Sequence, residues 1–447
     1  MTFELFRDEI FAKAKAKGFV DYELNYSAGE SFSVRVLNGS IEEYKSAGSE
    51  GVGFRGTFEG KMGYASTEKL DVNLIDQLLN NAAANATIIE DKDVEKLYPG
   101  DEKYPECDNY DPTLNSVTAD EKIKLALDME KYALSLDPRV KLADYCVVST
   151  SEGSTAIANS YGLNLHSKWN MGSAFLVARV EEKGIMKSGY EFWSGRNFKN
   201  FDYKELAKKA VDIAISYIGA APLESGEYKI LFDNSTARDV FSVFSGIFIA
   251  EAGQKGFSIL DKNKIGETIA ANGVTIRDDG IAELSLQNMA FDAEGVATKQ
   301  KAVIENGVLK TLLYNTKAAA KDGVKSTGNA SKNGIGGAIT TSTNNFYMVP
   351  GTKSYEEMIK TLDTGIIITE LAGLHSGANP VSGDFSMSAD GYYVENGKIV
   401  KPIEQITVAG NFFQLLQGIT DIGSDIRFQG FLGMPSFIVD KLNISGL

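Results

Sequence analysis

The chain has 447 residues, of which 43% are hydrophobic and 23% charged, and a formal net charge of −15. These proportions describe a cored globular protein of two or three domains, not a disordered or membrane chain. The surplus of acid argues against a general nucleic-acid binder, whose affinity comes from neutralising phosphates. No apolar run approaches the ~18 residues of a membrane span. The opening MTFELFRDEIFAKAKAKG mixes acid and base on a helical period, unlike a signal peptide, so a cytoplasmic protein is expected.

Helical periodicity predicts a helix over residues 3–17, stopped by Gly18. Phe32, Val34 and Val36 then alternate with polar residues, and Asn38-Gly39 supplies a two-residue hairpin turn before Ile41 and Tyr44. A second strand pair, 51–58 and 62–65, turns at Glu59-Gly60-Lys61, and a helix follows over about 72–86. The order recurs: a helix near 119–135, strands near 145–150, 155–159, 164–168, 174–181 and 186–193, and a helix near 203–218. This reads as two helix–sheet–helix units. The acidic stretch 90–116, with Pro99, Pro105 and Pro112, reads as an extended surface connection between them.

Residues 220–226 (AAPLESG) mark the expected boundary between an N-terminal α/β domain, 1–220, and a C-terminal domain, 227–447. One buried helix is predicted over 235–252, because VFSVFSGIFIAEA is apolar nearly all round. Hairpins are expected at Asn306-Gly307 and Asn396-Gly397, with glycine-rich loops between strands. The fold class is therefore α+β, the second domain β-rich, antiparallel and barrel-like.

Chemistry-bearing residues are few. Cys107, Cys146, His166 and His375 stand alone, so neither a disulfide framework nor a HExxH, CxxC or HxH metal spacing exists. Glu251 ends the apolar helix and is a candidate general base, though more often such a residue is a helix end reaching solvent. His375 lies near Ser376, Ser382 and Asp384, but no GxSxG elbow presents a serine, which disfavours a triad. The glycines around His375 suit a structured loop lining a groove; the bland alternative is a long hairpin connection. His166 reads as a structural strand residue. Gly334, Gly336 and Gly337 lack the strand–loop–helix setting of a phosphate loop.

Three segments carry a resemblance. LHSGANPVSGDFSMSADGYYVENGKIVKPIEQITVAGN, the ending DIGSDIRFQGFLGMPSFIVDKLNISG and FDNSTARDVFSVFSGIFIAEAGQKGFSILDKNKIGE resemble the PmbA (TldE) branch of the TldD/PmbA family. NSYGLNL and GVGFRGTFEGKMGYAST fit it more loosely.

The resemblance implies a cytoplasmic two-subunit peptidase for unstructured peptides, a family also named for modulation of DNA gyrase. In its TldD branch a HExxxH motif holds zinc. The corresponding segment here is Ala250-Glu251-Ala252-Gly253-Gln254-Lys255, keeping Glu251 alone. Implied, then, is a metal-free partner subunit with no cofactor of its own, inactive by itself and completing the substrate channel of a zinc-bearing HExxxH partner. His375, Asn379, Asp384, Phe385 and Ser386 are its candidate groove residues. The alternative is a homodimer that binds peptides without catalysis; an independent hydrolase using His375 is a third reading. Neither nucleic acid nor membrane is an expected partner.

Overall fold

The computed structural model describes residues 1–88 and 96–447, so the first part of the acidic connection, residues 89–95, lies outside the described residues. The chain forms two compact units. The first comprises residues 1–216 with two excursions of the later chain, 290–297 and 330–340; the second comprises 217–289, 298–329 and 341–447.

The first unit is built on a repeated pattern. Helix α1 (Phe3–Lys17) is capped by Thr2, whose hydroxyl accepts from Leu5 N, and is ended by Gly18 at φ 100°. Phe3, Phe6, Ile10 and Ala14 recur on one face and are buried. Strands β1 (Tyr22–Leu37), β2 (Ser40–Phe58) and β3 (Lys61–Thr67) follow, then α2 (Ile75–Ile88). The same order returns in α3 (Ala119–Leu136), β4 (Val140–Asn159), β5 (Asn164–Glu182), β6 (Ile185–Gly195) and α4 (Tyr203–Ser216). The six strands make one antiparallel sheet, β3-β2-β1-β4-β5-β6, with Gly29 opposite Gly153 where the two halves join. The two helix–sheet–helix units are therefore halves of a single sheet.

Each half uses a glycine in its outer strand to bring the following helix close. A Cβ on Gly63 would stand 2.0 Å from Ala82 O, and one on Gly189 would stand 2.4 Å from Ala210 O. Helix and strand pack at contact distance only because neither Cβ exists.

The strands are longer than the sequence pattern predicts. Residues 40–58 form one strand where two were expected, and Val140–Asn159 and Asn164–Glu182 each absorb two. The serine- and glycine-rich stretches that read as breaks are paired within the sheet: Ser31 stands opposite Ser151, and Ser49 opposite Gly29. Among buried polar groups in this unit, Arg55 Nε donates to Glu23 Oε1 at 2.7 Å, the two residues being 2% and 0% exposed. The loop NGIGGA, residues 333–338, packs on the same sheet; a Cβ on Gly53 would meet Ile335 O at 2.3 Å.

In the second unit five strands close on themselves: β7 (Gly226–Phe232), β8 (Gly365–Ala372), β9 (Asp384–Glu395), β10 (Lys398–Asn411) and β11 (Phe437–Ser445). β8 runs parallel to β7; the ladders β8–β9, β9–β10, β10–β11 and β11–β7 are antiparallel, and the last two close the barrel. A second, six-stranded sheet of short strands includes Ile276–Asp279, Lys301–Glu305 and Asn345–Met348. Asn306-Gly307 and Asn396-Gly397 turn with positive φ at both positions, as the hairpin reading requires.

The helix expected over 235–252 is broken. α5 (Asn234–Phe244), capped by Asp233, gives way to a 3-10 turn at Ser245–Phe248, an extended Ile249, and the short α6 (Ala250–Gln254). Leu313 N donates to Phe248 O and Ala250 N to Leu313 O, both at 2.9 Å. A strand-like bridge thus takes over the backbone groups that a continuous helix would pair internally. α5 buries one face, not its whole circumference: Thr236, Ala237, Val240, Phe241 and Phe244 are buried while Ser242 is exposed, and Phe241 and Phe244 lie against Phe412, with ring centroids 5.3 and 4.5 Å away.

Candidate functional site

α6 places Glu251 two residues after the extended Ile249. Its carboxylate oxygen Oε2 accepts from Thr341 Oγ1 at 2.8 Å, and Thr341 is buried. The residue before it, Ala250, is 1% exposed, and the peptide N–H of Lys255 closes the turn onto Glu251 O at 3.1 Å. The chain returns tightly past this turn; a Cβ on Gly253 would fall 2.2 Å from Leu260 O. Among the described residues no group of three His, Cys, Asp and Glu side chains is placed to hold a metal ion.

The loop before β9 is a knot of local hydrogen bonds. Asn379 N donates to Asp384 O and Gly383 N to Asn379 O, each at 2.8 Å, while Ser386 N donates to Gly377 O at 2.6 Å. Asp384 uses both carboxylate oxygens inside the loop, accepting from Asn411 Nδ2 at 2.9 Å and Ser382 Oγ at 2.8 Å. Those two bonds hold its carboxyl below the ordinary carboxylate range. Asn411 also caps the following helix by accepting from Phe413 N, so the loop and that helix share one anchor. Gly383 sits at φ +83° with the Phe413 ring 2.9 Å from its missing Cβ, and no side chain fits there.

The structure divides the predicted groove residues. His375, Asn379, Asp384 and Ser386 are exposed. Phe385 faces the other way, 4% exposed and 6.3 Å from Phe244 between ring centroids. It belongs to the core because alternate residues of a strand point to opposite faces. At residues 384–386 β9 pairs with β10 on one side, and on the other its backbone groups bond to Gly377 and Asn379 of the loop. The backbone at this place therefore offers no free strand edge. Among the described residues His375 makes no hydrogen bond or ring contact, while Ser382 and Asp384 bond to each other, so no serine triad is assembled. Among the described residues no hydrogen bond joins Glu251 to the loop.

The remaining candidates are structural. His166 meets Phe3 edge-on at 5.7 Å. Cys146 donates to Ala126 O at 3.2 Å, and burial pushes its thiol well up. Cys107 accepts from Asn109 Nδ2 at 2.9 Å. The polar packing of Thr341 onto Glu251 escaped the sequence reading, since the two are 90 residues apart.

A duplicated helix-covered sheet followed by a five-stranded closed barrel defines a two-unit α+β protein. The chain belongs to the PmbA/TldD family: residues 22–86, 112–217 and 225–446 match the first, central and C-terminal domains described as PmbA/TldA metallopeptidase. It is 34% identical to a Thermotoga maritima protein whose structure is named as a modulator of a DNA gyrase, with TM-score 0.91, covering 99% of this chain and 100% of that one. It is 28% identical over 344 residues to the metalloprotease PmbA of Escherichia coli O157:H7, 76% of this chain and 73% of that protein. The TldE structure from Thermococcus kodakarensis shares the fold at 22% identity, with TM-score 0.91 over 99% of this chain and 100% of that one.

Proposed function

We propose that this chain is the metal-free member of a two-subunit peptidase, completing the substrate groove of a HExxxH-bearing partner. The observation that carries this reading is the chemistry of residues 250–255. Ala250 has no lone pair and is buried, and a protonated Lys255 repels a dication. The one carboxylate of the segment, Glu251, is engaged by Thr341. These residues do not fit zinc, and no catalytic step is assigned to them.

The exposed His375, Asn379 and Ser386 then serve as side-chain contacts for an unfolded peptide, on a loop kept rigid by Asn411, Asp384 and Gly383. Elemental analysis of the purified chain tests the metal half of this reading. Substoichiometric zinc after dialysis supports it; one tightly held zinc per chain overturns it.

A further inference from the structure

In the middle of the N-terminal sheet two pairs of residues stand directly opposite each other across β1 and β4: Glu30 with Glu152, and Phe32 with Thr150. Alternate residues of a strand share a face, so the four form one patch. Like charges placed directly opposite in a sheet destabilise it. Glu30 nonetheless has no hydrogen bond or ion pair among the described residues. Glu152 is held by Asn115 Nδ2 and, at 3.5 Å, by the Tyr110 hydroxyl, neither of which carries a charge.

One cation reaches this patch. Lys122, on α3, is 8% exposed; its Nζ donates to Thr150 Oγ1 at 2.9 Å and lies 4.7 Å from the centre of the Phe32 ring. It forms no ion pair among the described residues. Burial pushes its ammonium below the ordinary lysine range, against the pull of Glu152. Lys168, in an adjoining cavity, lies 5.5 Å from the Tyr110 ring and forms no ion pair with Glu152 either. Lys122, Glu30 and Glu152 line a cavity of about 380 Å³ together with Phe32, Leu114 and Asn115. Both signs of charge thus face one space without meeting each other.

We propose that this cavity binds the zwitterion of a free α-amino acid, its ammonium between Glu30 and Glu152 and its carboxylate on Lys122. A simple cation would leave the buried Lys122 without a counter-charge, and a simple anion would face two carboxylates; a ligand carrying both signs satisfies the whole lining. The spacing fits the smallest such ligand. Thr150, which anchors Lys122, and Glu152 are two residues apart on one strand, roughly 7 Å. An α-amino acid, with a charge-assisted hydrogen bond of about 2.8 Å at each end, spans that distance. Phe32 and Leu114 offer its side chain an apolar wall. The site lies within the first unit and does not depend on the peptidase reading.

The test is isothermal titration calorimetry on the full chain with L-leucine, N-acetyl-L-leucine, which lacks the ammonium, and L-leucinamide, which lacks the carboxylate. L-leucine is expected to bind, and each blocked form to bind about tenfold or more weaker. Glu30→Gln, which alters only an exposed side chain, and Lys122→Met should each raise the Kd for L-leucine by a similar factor. Amide exchange should slow in fragments spanning residues 30–32 and 150–152 when L-leucine is added. No binding of L-leucine up to about 10 mM would overturn the proposal. So would equal binding of the blocked forms, an unchanged Kd in Glu30→Gln, or binding that leaves those fragments unprotected.

Discussion

Thr341 donates its hydroxyl to Glu251 across 2.8 Å, and the glutamate that a sequence reading marks as a base is thereby a hydrogen-bond acceptor in a packed turn. Glu251→Gln keeps an acceptor at that place and is expected to change stability by less than about 1 kcal/mol. Glu251→Ala leaves a buried hydroxyl without its partner and should cost about 1–3 kcal/mol. Cleavage by the reconstituted pair should be the same with Glu251→Gln as with the parent chain. A hundredfold loss with that variant, at unchanged stability, would restore Glu251 to catalysis.

Asp384 is the corresponding test of the loop. Asp384→Ala removes the acceptor of Asn411 and Ser382, and should lower the activity of the pair more than it lowers thermal stability. Equal losses would make the loop structural only. Because the folded state depresses this carboxyl, its contribution is present above the unfolded pKa of ~3.9 and lost as pH falls through the lower folded value. Amide protection of residues 379–386, corrected for intrinsic exchange, should therefore decline below about pH 4.

Asp292 titrates in the opposite sense. It is 3% exposed, and burial, reinforced by Glu294, pushes its carboxyl up to about 7 despite N–H donors from Ala330, Glu294 and Val296. An acid raised on folding binds its proton more tightly in the native state, so its contribution falls as pH rises from ~4 through about 7. The difference in melting temperature between the parent and Asp292→Ala should be larger at pH 5 than at pH 8. A difference independent of pH would show that Asp292 is ionised throughout.

Arg55 and Glu23 form a buried ion pair, and breaking one side of it leaves a charge in the core. Arg55→Met alone should destabilise by about 3–5 kcal/mol, and Glu23→Leu together with Arg55→Met should recover most of that loss. A chemical-denaturation cycle over the two single variants and the double variant measures the coupling; additive losses would contradict a direct pair.

How much of this was legible follows from which interactions are local. The end of α1 at Lys17 and the hairpins at Asn38-Gly39, Asn306-Gly307 and Asn396-Gly397 rest on periodicity or turn chemistry written in adjacent residues. The continuity of β2, β4 and β5 was not legible, because serine and glycine in mid-strand carry the signature of a turn until a neighbouring strand is known. The break of the helix at Ile249 depends on Leu313, far along the chain. At the candidate site, Glu251 and the exposed loop residues were readable, but the inward face of Phe385 needed the strand register. The hydrogen-bond partners of Asp384 needed the barrel that brings Asn411 alongside.

The most direct measurement is a digest of an unstructured peptide by this chain alone, by a HExxxH homologue from the same host alone, and by the two mixed, each with and without a chelator. This chain alone is expected to give no cleavage, and the mixture to give chelator-sensitive cleavage stronger than that of the homologue alone. Chelator-insensitive cleavage by this chain alone, abolished by His375→Ala, would contradict it, as would a mixture no more active than the homologue by itself.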